Sequence, residues 1–304
     1  MTTIPTPRRL AVVTGASSGI GFELAKQFAT HDFDLIVAAE DDELQRAASL
    51  LESLGAKVDA VQVDLATDAG VDELYRHMTD SGRPIDAVAL NAGVGAGGAF
   101  ATDTALRDEL RIVDLNVRST VHLAKHVVPD MVKRGEGQIL LTSSIASTMP
   151  GSFQAVYTAS KSFVQSFALA LRHELKDTGV TVTSLMPGPT DTEFFERANM
   201  LDTIVGSGPK DDPADVAREG FEALMAGQER VVASSPQTKL QGRMSRLMPD
   251  RTKARMHGVM AKPRSGDASP KAILTGAVRQ RGQTAGLVAA GAVATGLAVR
   301  RARR

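Results

Sequence analysis

LAVVTGASSGIG, residues 10–21, decides the fold. Leu10 to Val13 are four apolar residues in a row, as in a strand covered on both faces. Thr14 then leads into Gly15, Gly19 and Gly21, set where that strand meets the amphipathic stretch GFELAKQFATH (21–31). Glycines at a strand-to-helix turn allow a tight bend and bring backbone N–H groups close to a phosphate, whose charge the helix N-terminus stabilises. The same residues also spell Gly15-Ala16-Ser17-Ser18-Gly19, the G-x-S-x-G of a serine hydrolase elbow. A hydrolase would need an acid and a histidine downstream, but His173 lies in a helical run and His257 in a basic tail. Dinucleotide binding is the reading that fits.

Working outward, six further runs read as strands: 34–39, 57–63, 85–90, 138–143, 180–186 and 230–234. Amphipathic stretches such as DELQRAASLLESLG (42–55) and VDELYRHMTDSG (71–82) separate them. That alternation predicts an α/β, Rossmann-like, doubly wound parallel sheet of about seven strands over residues 1–233, with its ligand crevice at the carboxyl edge. VGAGGAFAT (94–102) reads as a loop at that edge, and 190–212 as a long binding segment or lid. Beyond 233 the rhythm stops, which predicts a separate basic, helical or flexible extension over 234–304.

The 304 residues contain no cysteine, which excludes disulfides, thiolate zinc sites and cysteine nucleophiles. The N-terminus carries no apolar core of a secretory signal, so the expected location is cytoplasmic. Net charge is zero but unevenly spread: residues 230–304 hold sixteen Lys and Arg against Asp250 and Asp267, a net +14, leaving −14 on the rest. Such asymmetry suggests a partner for the basic part. Residues 285–299 are uncharged, yet as a helix they span about 22 Å, short of a ~30 Å hydrocarbon core. Attachment to an anionic membrane surface is one reading of this tail; a helix docked on the acidic domain or a partner subunit, or a disordered tail, are the others. Nucleic acid is not expected, since no aromatic residues interleave the charges.

Tyr157 and Lys161 in YTASK stand at i, i+4, so they share one helix face. An ammonium beside a phenol favours phenolate and draws its pKa toward working pH, as acid–base chemistry needs. His122 and His126 have the same spacing in VHLAKH, but no HExxH glutamate or third ligand accompanies them, so an exposed pair and no metal are expected.

TGASSGIG (14–21), Asp64-Leu65, NAG (91–93), Asn116 in LNVRS, Ser144 in TSSIAS, YTASK and PGPTDT (187–192) together resemble the short-chain dehydrogenase/reductase family, over roughly residues 8–233. The resemblance implies a hydride-transferring oxidoreductase that interconverts a small alcohol and its carbonyl compound. Under it, Tyr157 exchanges a proton with the substrate oxygen and Ser144, rather than Ser143, hydrogen-bonds that oxygen. Lys161 holds the nicotinamide ribose and lowers the tyrosine's pKa, while Asn116 positions a water in a proton relay. Gly15, Ser17, Ser18, Gly19, Ile20 and Gly21 wrap the pyrophosphate, and Asp64 and Leu65 bracket adenine. Asn91, Ala92 and Gly93 lie by the ribose units, with Pro187, Gly188, Thr190 and Thr192 at the carboxamide.

The second strand ends Ala38-Ala39-Glu40-Asp41-Asp42, with no basic residue, and the family's usual acidic position holds Ala39. Glu40 must then serve, and acids there would repel a 2′-phosphate, so NAD is expected over NADP. A homodimer through the helices holding Asn116 and Tyr157 is expected by the same resemblance. Candidate substrate walls are 94–102, 146–153 and 189–208, including Phe194 and Phe195; they suggest a moderately hydrophobic alcohol or ketone, and the same walls suit sugars, lipids or acyl intermediates. The alternative from another class is a cofactor-binding scaffold without turnover.

Overall fold

The computed structural model describes residues 8–233 and 248–264. Seven strands form one parallel sheet: β1 (Arg9–Thr14), β2 (Phe33–Ala39), β3 (Val58–Gln62), β4 (Ala87–Leu90), β5 (Gly137–Thr142), β6 (Val180–Leu185) and β7 (Arg230–Val231). Their order is β3-β2-β1-β4-β5-β6-β7. The direction in which successive strands are added therefore reverses between β1 and β4, and the crevice at that switch point is where an open α/β sheet binds its ligand. The expected strands are all present, though β7 is cut to two residues because it pairs with β6 only at Ser184 and Leu185.

Helices α1 (Gly19–Thr30), α2 (Glu43–Ser53) and α3 (Asp68–Asp80) follow the first three strands. After β4 a continuous helical run comprises α4 (Leu106–Ile112), a wide π turn (Val113–Arg118) and α5 (Ser119–Arg134). α6 (Ala155–Glu174) follows β5; two short turns, α7 (Phe194–Arg197) and α8 (Ile204–Ser207), and then α9 (Pro213–Met225) follow β6. α10 (Asp250–Ala261) is the last described helix.

Alternation along each strand splits the core into two layers. Val12, Ile36, Val88 and Ile139 face Leu74, Leu123 and Val164 on α3, α5 and α6. Val13, Leu35, Val37 and Leu140 face Leu24, Leu51 and Phe221 on α1, α2 and α9. In the second layer Phe28 makes edge contacts with Phe33 at 5.0 Å and Phe221 at 5.1 Å. Truncating so enclosed a ring to alanine would cost about 3–5 kcal/mol.

The chain divides into a compact unit running to Lys262 and a second, Pro263–Arg304. The first unit thus extends past the boundary expected at residue 233, because α10 packs on it: Ser152 Oγ donates to the Ala254 carbonyl, and Ala261 is buried with Phe195, Ala198 and Met200. No described helix is long and apolar enough to cross a membrane. The 285–299 stretch, with its candidate surface attachment, lies outside the described residues.

Candidate active site

A cleft of about 610 Å³ opens along the carboxyl ends of β1, β2, β4, β5 and β6. It is lined by every site residue named from the sequence except Asn116, which is buried behind its wall.

The turn after β1 has the geometry a phosphate needs. Gly19 sits at φ +56°, a conformation that favours glycine. At Gly21 an added Cβ would lie 1.9 Å from the Gly15 carbonyl oxygen, so the first turn of α1 can close on β1 only without a side chain. Ser18 heads α1 in extended conformation and its side chain makes no capping bond, which leaves the helix's first N–H groups to an incoming anion. Ser17 Oγ donates to Asp41 Oδ2 at 3.0 Å. Its partner is a carboxylate and not an imidazole, which removes the hydrolase reading.

The NAG segment is locked in place by short polar bonds. Thr14 Oγ1 accepts from the Asn91 and Ala92 amides at 2.9 and 3.0 Å, Asn91 Nδ2 donates to the Thr14 carbonyl, and Thr142 Oγ1 donates to Asn91 Oδ1. Three strand ends are thereby tied into one rigid rim.

At the far end of β2, Glu40 is paired with Arg111 of α4, and the same guanidinium spans both oxygens of Asp64 at 3.1 and 3.2 Å. Burial pushes the Asp64 carboxyl up, but the bonds from Arg111 and the Ala66 amide outweigh it and hold it below the ordinary carboxylate range. Arg111 is a cleft residue that sequence reasoning missed; it lies 71 residues from Glu40, so no local spacing reveals the contact. Asp41 is the second addition. Its Oδ2 holds Ser17 and approaches Arg197 at 3.8 Å, while Oδ1 is buried with no hydrogen-bond partner among the described residues. A buried acceptor left open in a ligand cleft fits a hydroxyl donor from a bound molecule.

Where β5 ends, the chain brings Ser144, Tyr157 and Lys161 together. Ser144 heads a single helical turn (Ile145–Thr148), its Oγ accepting from the Ala146 amide at 3.1 Å and donating to the Pro187 carbonyl at 3.5 Å. Ser143 turns away and donates to the Lys161 carbonyl at 2.9 Å. Lys161 is buried on α6, its Nζ donating to the Thr142 carbonyl at 2.9 Å. Burial pulls this ammonium down to about 8.

Tyr157 faces the cleft beside the Phe194 ring, 5.1 Å away. The surrounding protein pushes its phenol up to about 12, and the nearby Ser144 hydroxyl only partly offsets that. In the chain alone, therefore, desolvation outweighs the neighbouring amine that was expected to favour phenolate.

Asn116 lies in the π turn between α4 and α5. Its Oδ1 accepts from the Val94 amide at 2.9 Å, and its Nδ2 donates to the Val94 carbonyl and to Ser160 Oγ, each at 2.9 Å. It clamps the 93–94 backbone to α6. An added Cβ on Gly93 would lie 3.1 Å from both Asn116 Oδ1 and Lys161 Nζ, so the amide and the amine meet behind that glycine.

The remaining walls are Val94 to Gly97, Ile145, Ala146, Met149 and Gln154, then Phe194, Phe195 and Val205. To these the structure adds His257 and Met260 of α10, from a stretch that reads in sequence only as a basic tail. His257 Nδ1 lies 2.9 Å from the Ser152 carbonyl. Burial lowers its pKa, so the ring is neutral with its proton on Nδ1, and Nε2 is left as an acceptor.

Comparison with known proteins gives the family. Residues 9–201 match the short chain dehydrogenase family model. Serine 3-dehydrogenase of Agrobacterium fabrum is 30% identical over 215 residues, 71% of this chain and 82% of that protein. An NADP-dependent 3-hydroxy acid dehydrogenase of Salmonella typhi is 32% identical over 186 residues, 61% of this chain and 74% of its own length. Among solved structures, a short-chain dehydrogenase from Sphingobium yanoikuyae in complex with NADPH superposes with a TM-score of 0.69 at 27% identity, covering 79% of this chain and 96% of that one. The chain belongs to the short-chain dehydrogenase family. It is an oxidoreductase of the NAD(P)-dependent class that acts on CH–OH groups.

Proposed function

We propose that this protein interconverts a moderately hydrophobic alcohol and its carbonyl compound, with Tyr157 as the proton-exchanging group. The observation that carries the reading is the meeting of Ser144, Tyr157 and buried Lys161 at one end of a cleft whose other end is a glycine-built anion cradle. The bound dinucleotide supplies or accepts the hydride at the reacting carbon. In reduction, Tyr157 Oη gives its proton to the carbonyl oxygen while Ser144 Oγ hydrogen-bonds that same oxygen and holds it in place. Reduction consumes one proton and oxidation releases one, so the balance moves toward oxidation as pH rises. Lys161 holds the ribose hydroxyls and recharges the tyrosine. Asn116 acts as a positioning residue, through the Gly93–Val94 backbone and Ser160. Intact polar groups at all four positions support turnover over a cofactor-binding scaffold.

NAD is the proposed cofactor. Glu40, Asp41 and Asp64 at that end of the cleft outnumber Arg111 and Arg197, and the open Asp41 Oδ1 suits a ribose hydroxyl better than a phosphate. Asp41 thus joins Glu40 as a candidate for the 2′ position. Exposed Val121 and Val132 on α5 and Phe163 on α6 support a homodimer through those helices. Membrane-surface attachment rests on the +14 charge of residues 230–304 alone. Flotation with anionic liposomes, comparing the full chain with one cut at residue 265, tests it, and equal behaviour ends the idea.

The activity itself is tested by screening ketones and alcohols with NADH and NAD for absorbance change at the nicotinamide band, with Tyr157→Phe as control. Turnover is expected in wild type and lost in the variant; turnover surviving the substitution contradicts the assignment.

A further inference from the structure

Outside the cleft, α3 and α5 bring a set of metal-type donors to one point. Asp72 Oδ1 lies 3.1 Å from His122 Nε2 and 3.3 Å from His126 Nε2, and one donor atom from each of the three residues falls within 4.8 Å of the others. In the sequence the two histidines lacked a third ligand; the fold supplies it from a helix some fifty residues upstream. We infer that Asp72, His122 and His126 form a binding site for one borderline first-row divalent cation of the Zn2+ type, clipping α3 to α5.

Four observations carry this. The two nitrogen-to-oxygen separations match the edge of a tetrahedron with bonds of ~2.0–2.1 Å, which is about 3.3 Å, so a cation can enter with little rearrangement. Both imidazoles present Nε2, leaving Nδ1 for the proton that each neutral ligand must keep. On His122 that Nδ1 faces Asp68 Oδ1 at 3.6 Å, the carboxylate-to-histidine support that orients metal-binding imidazoles. Finally, the His126 ring is stacked on Tyr75 at 4.2 Å and 12°, with Tyr75 Oη donating to Asp130 at 3.3 Å. The rings are therefore held before any cation arrives.

Charge and donor chemistry choose the ion. Arg118 pairs with Asp68 and approaches Asp114, compensating the outer carboxylates, so Asp72 is the one acid turned on both imidazoles. Two nitrogens and one oxygen suit Zn2+, Co2+ or Ni2+, whereas Mg2+ and Ca2+ require oxygen shells. Asp72 is 54% exposed, which leaves room for water at the fourth position. None of the three residues lines the cleft, so the inference is independent of the hydride-transfer reading. The consequence is mechanical: α3 starts just after Asp64–Leu65, and α5 continues the turn that holds Asn116. A cation joining them would brace the wall of the cleft from behind.

The test uses the full chain, free of any affinity tag and stripped with chelator, titrated with Co2+ and Zn2+ by visible absorption and calorimetry. One equivalent of Co2+ giving intense tetrahedral d–d bands, displaced by Zn2+ and not by Mg2+, is expected. His122→Gln with His126→Gln should lose that equivalent while NADH titration shows the dinucleotide site intact; His122→Gln alone is the fallback if the pair misfolds. Asp68→Asn should weaken the site about tenfold. The inference is overturned if the variants bind Co2+ with unchanged stoichiometry and spectrum, which would mean adventitious surface binding only, or if Mg2+ competes equally.

Discussion

The two ends of the cleft are built in different ways. The proposed dinucleotide end is made of backbone and short side chains in consecutive runs, Thr14 to Gly21 and Asn91 to Gly93, fixed to strand ends by bonds near 3 Å. The proposed substrate end is assembled from separate segments around 94–104, 145–154, 194–205 and α10, with apolar rings and one imidazole on its surface. A cofactor common to many reactions calls for fixed geometry, whereas a substrate wall made of loops and a late helix can change without disturbing the sheet. The rigid end should fail abruptly on substitution, and the assembled end by degrees.

The largest effect on dinucleotide binding is expected at Gly21. Gly21→Val places branched carbon where even a Cβ meets the Gly15 carbonyl at 1.9 Å, and NADH affinity should fall by at least about a hundredfold, read by fluorescence titration. Retained binding would mean the turn is not the phosphate cradle.

Next comes the buried amine between the two ends. Lys161 titrates near 8 in the fold, against 10.5 for its ordinary value, so the unfolded chain binds more protons between those values and stability rises with pH there. The gain from pH 8 to 10 is about 2 kcal/mol, with a limit near pH 10 because the unfolded Tyr157 then begins to ionise while the folded one holds its proton to about 12. Urea melts at pH 8, 9 and 10 should show this slope in wild type and lose it in Lys161→Met; an unchanged slope would place the amine in water.

At the assembled end, His257→Ala should raise substrate KM about tenfold with NADH affinity unchanged, because one polar contact to the substrate is lost and the cradle is untouched. Steady-state kinetics on the best substrate from the screen reads it, and equal KM would exclude α10 from recognition. The smallest effect is at Arg111. Arg111→Ala leaves Glu40 and Asp64 uncompensated, and the NADH-to-NADPH affinity ratio should rise about threefold, the scale of a half-exposed ion pair. A fall in the ratio would reverse the proposed roles of those charges.

The same contrast explains what the sequence made legible. Continuous apolar runs such as Leu10–Val13 announce strands because both faces are covered, and contiguous motifs place their residues at strand ends however the helices pack. Contacts that join distant segments leave no local trace. Arg111 against Glu40, Asp72 against His122, and His257 against the Ser152 carbonyl each depend on how separate elements settle on one another. The rise of the phenol's pKa is hidden for a related reason. Lys161 at i+4 is visible in the sequence, but the desolvation that lifts Tyr157 to about 12 comes from the whole surrounding wall. Asn116 was legible as a special residue in the helix after β4, yet its bonds to Val94 emerge only with the π turn.

The central claim, that Tyr157 moves a proton while the glycine-built end binds the dinucleotide, is tested most directly by single-turnover reduction with enzyme preloaded with NADH. Tyr157→Phe should keep NADH affinity within about threefold of wild type while the rate of nicotinamide oxidation on mixing with ketone falls by about a thousandfold. A variant that oxidises bound NADH at the wild-type rate would contradict the account.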